Sequence, residues 1–324
     1  SVTLCSPGTS TCQTVNDILL DTGDSGLRIF RQVLTVPLTQ VPSGAGSLAE
    51  CIQYADGSSV WGPVKRAGVV LANEPAVQVP VQVIDSTLAG APAACATAYQ
   101  TPAEAGYNGS LGVSFFAQDC GDTCRDNTLN GVYYACSGGA CSGAKAELAD
   151  QVQNPVAALP VDNNGVLVQL PSVPANGAAT VSGSLILGIG TRANNIPSAV
   201  TAYRANAAGN FFTTFDGSTY GSFIDTGSNG LFFPATLAGT LPDCAPPNAA
   251  WFCPPVTRSL SAVNTGSFGS PSGTVSFQIG NFESLMATPN NVFSTIGGDY
   301  PGGFAWGLPF HFGRTVYIGI EGKT

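Results

Sequence analysis

The chain has 324 residues, 44% hydrophobic and only 10% charged, with 11 Lys plus Arg against 20 Asp plus Glu and a formal net charge of −9. That balance excludes a phosphate-backbone binder, which needs a cationic face, and the apolar share excludes a disordered polymer. The length allows about two domains, and 40 Gly with 23 Pro predict short strands and tight turns rather than long helices.

In chain order, the first predicted element is the apolar run Ile18-Leu19-Leu20, which enters Asp21-Thr22-Gly23. Further β-type runs follow at residues 68–71 and 77–84, the second alternating with the period of two expected of a strand buried on one face. Residues 119–145, dense in Cys, Gly, Asp and Asn, read as a disulfide-tied loop, and residues 144–149 are the one segment of helical composition. Residues 171–180 and 240–256 are rich in Pro and Ala and read as loops. The chain is therefore predicted to be all-β. No apolar run reaches the roughly 18 residues of a membrane span, so no membrane partner is expected. No basic and apolar leader stands at Ser1; an exported protein would have lost it.

Ten cysteines accompany a single histidine. Short spacings suggest bridges Cys5–Cys12, Cys136–Cys141 and Cys244–Cys253. Cys120, Cys124, Cys136 and Cys141 could alternatively form a four-thiolate zinc site, but ten cysteines fit an oxidised, exported protein better. No metal is expected.

The most informative feature is an internal repeat. Residues 20–27 read Leu-Asp-Thr-Gly-Asp-Ser-Gly-Leu and residues 224–231 read Ile-Asp-Thr-Gly-Ser-Asn-Gly-Leu. Two related halves, each donating one copy, explain such distant copies better than a short-period solenoid. A carboxylate where a buried strand turns is costly unless it is hydrogen-bonded or functional. If Asp21 and Asp225 act together, the pair shares one proton; the ionised member activates water while the other polarises a carbonyl. Residues 23–26 also spell Gly-Asp-Ser-Gly, as around a serine nucleophile, but that chemistry leaves the repeat unexplained and has only His311 for a base.

These motifs resemble the pepsin-like aspartic peptidases. The likeness extends to Tyr54-Ala55-Asp56-Gly57-Ser58, similar to the tip of the family's substrate-covering flap. It also includes Ser110-Leu111-Gly112 and Ala305-Trp306-Gly307, similar to the segments threading beside each catalytic loop. Residues 183–188 and 315–320 look like the lobe-joining and closing strands. The resemblance implies an all-β, two-lobed β-barrel architecture with pseudo-two-fold symmetry and a central cleft, its lobes at residues 1–182 and 183–324. It implies catalytic Asp21 and Asp225, loop support from Thr22, Gly23, Thr226, Gly227 and Ser228, and substrate contacts from Tyr54, Asp56 and Gly57. The implied activity is hydrolysis of polypeptide substrates at acidic pH by a monomer without cofactor. A further likeness, to bacterial exported proteins with Asp-Thr-Gly-x-Ser-Gly-Leu-Arg and Trp-Gly-Leu-Pro-Phe segments, implies a secreted, periplasmic or cell-envelope location.

Two positions depart from the family pattern. Asp24 stands where a Ser or Thr normally bonds the catalytic carboxylate, and an acceptor there repels Asp21 unless it is protonated or turned away. Arg28 replaces the tryptophan that supports the flap tyrosine; it could pair with Asp24 or with a substrate carboxylate. These departures keep two alternatives open: a pseudo-peptidase binding a peptide, protein or glycan, and a disulfide-rich envelope protein with no cleft function. His311 is expected to be solvent-facing or a satisfied core residue.

Overall fold

The computed structural model describes residues 1–234 and 241–323. Strands dominate, as expected, and among the described residues no α-helix exceeds five residues. Residues 144–149 are not helical. Ala146 is buried in an apolar cluster and its N–H donates to the Cys124 carbonyl, so tertiary contacts take the bonds a helix would have used. The chain divides into two compact units, Ser1–Gly165 with Gly319–Thr324, and Val166–Ile318.

The first unit holds β1 (Val2–Cys5), β2 (Cys12–Val15), β3 (Ile18–Asp21), β4 (Ser25–Phe30), β5 (Thr39–Gln40), β6 (Pro42–Ser43), β7 (Gly46–Gln53) and β8 (Ser59–Val70). It continues with β9 (Val77–Ile84), β10 (Gly109–Val113), β11 (Tyr133–Ser137) and β12 (Ala140–Gly143). One sheet runs β12-β11-β7-β8-β9-β4-β10-β3, with the shorter strands on its flanks. β4 is buried at every residue and β9 at all but Gln78, which explains their near-continuous apolar sequences. β8 is long enough to pair with β7 through its first half and with β9 and β1 through its second. Gly62 permits this: a Cβ there would lie 1.9 Å from the Val83 carbonyl.

The second unit holds β13 (Gly165–Leu170), β14 (Ser184–Leu187), β15 (Phe211–Phe215), β16 (Ser218–Asp225), β17 (Leu231–Phe233) and β18 (Arg258–Thr265). β19 (Ser272–Ile279), β20 (Gly297–Asp299), β21 (Phe304–Gly307) and β22 (Arg314–Gly319) complete it. β13 lies between β14 and β22 in a three-stranded sheet; the other seven strands run β19-β18-β15-β16-β21-β17-β20. Its core is aromatic: Phe211, Phe215, Phe233, Phe252, Phe304 and Trp306 are buried together, with Phe233 stacked on Phe304.

All ten cysteines are paired, as Cys5–Cys12, Cys51–Cys95, Cys120–Cys124, Cys136–Cys141 and Cys244–Cys253. The three short-spaced bridges expected from sequence are present. The four-thiolate zinc alternative is overturned, because its cysteines are spent in two disulfides. Five disulfides place the protein in an oxidising compartment. Among the described residues no helix is long and apolar enough to cross a membrane.

Candidate active site

Each copy of the repeated motif sits at the end of a strand beside a threaded glycine. In the first unit β3 delivers Asp21 and runs parallel to β10, with Asp21 opposite Gly112. β10 runs antiparallel to β4, so it lies between the strands entering and leaving the Asp-Thr-Gly turn. In the second unit β16 delivers Asp225, parallel to β21 with Asp225 opposite Gly307, and β21 pairs antiparallel with β17.

The glycines are required by close approach. A Cβ on Gly112 would lie 2.7 Å from the Asp24 carbonyl oxygen, and one on Gly307 would lie 2.7 Å from that of Ser228, the corresponding loop position. Those carbonyls also accept hydrogen bonds from the threading segments: Ser114 N–H donates to Asp24 O at 3.0 Å and Leu308 N–H to Ser228 O at 2.8 Å.

The carboxylates are held alike. Asp21 Oδ1 accepts the Gly23 and Asp24 N–H groups at 2.8 and 3.1 Å; Asp225 Oδ1 accepts those of Gly227 and Ser228 at 2.8 and 3.2 Å. Thr22 and Thr226 are buried beside them. A carboxylate fixed by converging N–H groups is held in one orientation.

The loops differ at their third position. Ser228 Oγ donates to Asp225 Oδ2 at 2.5 Å. Asp24 instead turns its side chain away from Asp21: Oδ1 accepts the Ser25 N–H at 2.7 Å and Oδ2 accepts Arg28 Nη1 at 2.7 Å. The repulsion raised by the sequence is thus relieved by an ion pair, and Asp24 serves Asp21 through its main chain.

Tyr54 occupies the turn between β7 and β8, where its N–H donates to Ser58 O and its carbonyl accepts from Gly57 N–H. Gly57 has φ +86°, the left-handed region that suits glycine, and Asp56 Oδ1 accepts the Ser58 N–H and hydroxyl. Asp56 and Gly57 are therefore turn formers. Tyr54 packs against the buried cluster of Phe30, Val60 and Ile84, which Tyr99 and Tyr107 also flank. Burial pushes the Tyr54 hydroxyl well above its ordinary range; the Arg28 charge opposes that shift, and Asp24 and Asp21 add to it. Burial likewise pushes Tyr107 up to about 12, with the Tyr99 and Asp21 charges adding to it. Tyr54 and Asp21 thus share one electrostatic environment within the first unit.

Sequence reasoning missed the partners behind Arg28. Its guanidinium is fully buried and donates to Asp24, to Asp119 Oδ2 at 2.9 Å, to Glu50 Oε1 at 3.3 Å and to the Ser25 carbonyl at 2.9 Å. The available signal was a lone charge inside each of two apolar runs, Leu27-Arg28-Ile29 and Ala49-Glu50-Cys51, since such charges are rarely buried unless paired. His311 also departs from expectation: it is fully buried, and neither ring nitrogen has a hydrogen-bond partner.

No curated protein matches the chain. Over residues 1–324 the sequence matches the family described as Protein of unknown function (DUF3443), and the chain belongs to that family.

Proposed function

We propose that the protein is an exported aspartic endopeptidase with a pepsin-like, two-lobed organisation. In this reading Asp21 and Asp225 act as a pair on one water molecule, without metal or cofactor. One observation carries it: two separate units present an aspartate at the same register to a threaded glycine, each receiving the same two backbone N–H groups.

The ionised carboxylate would take a proton from water as it attacks the scissile carbonyl, and the protonated one would polarise that carbonyl. The pair must hold one proton, so hydrolysis is fastest at acidic pH. The β7–β8 hairpin would cover the polypeptide with Tyr54. The five disulfides support secretion or residence in the cell envelope.

The test is hydrolysis of an acid-denatured protein between pH 2 and 6. Asp21→Asn and Asp225→Asn should each lower turnover by about 10³-fold; equal turnover in all three proteins overturns the proposal. The side chain of Asp24 favours one second reading, a pseudo-peptidase that binds peptides without cutting them, because the first loop lacks the hydroxyl that Ser228 supplies to the second. Peptide binding with no cleavage between pH 2 and 7, and cleavage gained in Asp24→Ser, would select it, whereas tight binding of a statine-type transition-state mimic favours the enzyme.

A further inference from the structure

Arg28 joins three segments distant in sequence. Its partners are Asp24 on the first Asp-Thr-Gly loop, Glu50 on β7, and Asp119 beside the Cys120–Cys124 bridge. The side chains of Arg28 and Glu50 are 0% exposed and that of Asp119 is 1% exposed; only Asp24, at 20%, reaches solvent. One cation thus faces three acids in a place where uncompensated charge is costly.

The acids cannot all be ionised cheaply. Tyr133 OH donates to Asp119 Oδ1 at 2.7 Å, and Arg28 donates to Oδ2. Glu50 Oε1 takes Arg28, while its Oε2 has no hydrogen-bond donor. Gln82 offers Glu50 no side-chain donor, since its Nε2 donates to the Glu50 main-chain carbonyl at 2.8 Å. Ser110 and Gln82, which flank Arg28 on the neighbouring strands, are uncharged. Tyr54, Tyr107 and Tyr133 are further titratable groups that feel the cluster. Asp119 and Glu50 both accept from the same guanidinium nitrogen, Arg28 Nη2, so two buried carboxylates share one cation there.

We propose that Arg28 is a positioning residue that straps the Asp21 loop to the hairpin strand β7, and that the strap requires one proton within the buried Asp119–Glu50 pair. The strap's pH dependence follows from its charges. Burial, together with the Glu50 charge and hydrogen bond, raises Asp119 well above the usual 3.8, with Arg28 and Tyr133 opposing. A group raised on folding contributes its full stabilisation below 3.8 and loses it as pH rises through the raised value. Deprotonation leaves two buried carboxylates in contact, so the loop and the hairpin strand release together. For the proposed peptidase this ties catalytic-loop geometry to acidity through groups other than Asp21 and Asp225. That consequence rests on the proposed function; the strap does not.

The experiment is hydrogen exchange, read by mass spectrometry and corrected for intrinsic pH dependence, on segments 20–30 and 46–53 between pH 5 and 10. Wild type should lose protection in both segments over the same pH interval, with 2–15 unaffected. Asp119→Asn mimics the protonated acid and should move that loss up by at least one pH unit. Glu50→Gln should do the same and serves if the first variant fails to fold. Arg28→Met removes the strap itself and should lower protection of both segments across the whole pH range. Protection that does not fall in wild type, or falls at the same pH in both acid variants, overturns the inference. Because exchange needs no substrate, an inactive protein with a pH-released strap would sink only the proposed function, and an active one without it only the strap.

Discussion

His311 is the chain's one histidine, and it is placed where protonation is penalised. Its ring is buried against Phe310, with both nitrogens unbonded, and burial lowers it from 6.5 to about 4, with the Arg314 charge adding to the effect. The unfolded chain therefore binds a proton at this site between pH 6.5 and about 4 that the folded chain refuses. Stability is unaffected above pH 6.5, falls as pH drops through that window and levels below it, for a total of roughly 3 kcal/mol. His311→Phe should remove this contribution: the stability lost between pH 7 and pH 4, measured by urea unfolding, should shrink by about that amount. An unchanged loss would mean that the ring is solvated in the folded protein.

At the scale of elements, the paired strand-turn-strand units rest on glycines whose role is space. Gly112 and Gly307 do not have positive φ, so alanine fits their backbone conformation and only the neighbouring carbonyls oppose it. An added Cβ would lie 2.0 Å from Gly230 O at position 307, and 2.7 Å from Asp24 O at position 112. Gly307→Ala should cost at least about 3 kcal/mol and Gly112→Ala about 2 kcal/mol. Gly8→Ala, with open space but φ +69°, should cost about 1 kcal/mol, mostly from backbone strain. Urea midpoints falling in another order would show that the threads are not tightly packed. The threads were legible in the sequence because a tight turn and a close approach leave few residue choices, and those choices are adjacent in the chain. The Arg28 cluster was not legible beyond Asp24, because Glu50, Asp119 and Tyr133 come together only when β4, β7 and β11 are folded. Residues 144–149, the one segment of helical composition, are non-helical for the same reason: Ala146 N–H is claimed by the distant Cys124 carbonyl.

At the scale of the whole molecule, the two units are stabilised by different means. The first carries four disulfides and a buried charge cluster; the second carries one disulfide and an aromatic core. Cross-links act mainly by restricting the unfolded chain, and their effect grows with the loop they close. Cys51–Cys95 closes the longest loop, 44 residues in separation, and is worth about 4 kcal/mol; Cys244–Cys253, at 9, is worth about 2.5 kcal/mol. Cys51 also lies next to Glu50 on β7, so its loss loosens the strand that carries the Arg28 partner. Replacing Cys51 and Cys95 by serine should therefore open the first unit well before the second, seen as denaturant-dependent hydrogen exchange appearing earlier in peptides from 20–113 than in those from 211–307. The Cys244 and Cys253 double variant should advance opening of the second unit by less, because its bridge closes a shorter loop and the aromatic core keeps most of its burial without it. If the first unit opened no earlier without Cys51–Cys95, its stability would reside in the sheet and the buried charges rather than in the cross-link.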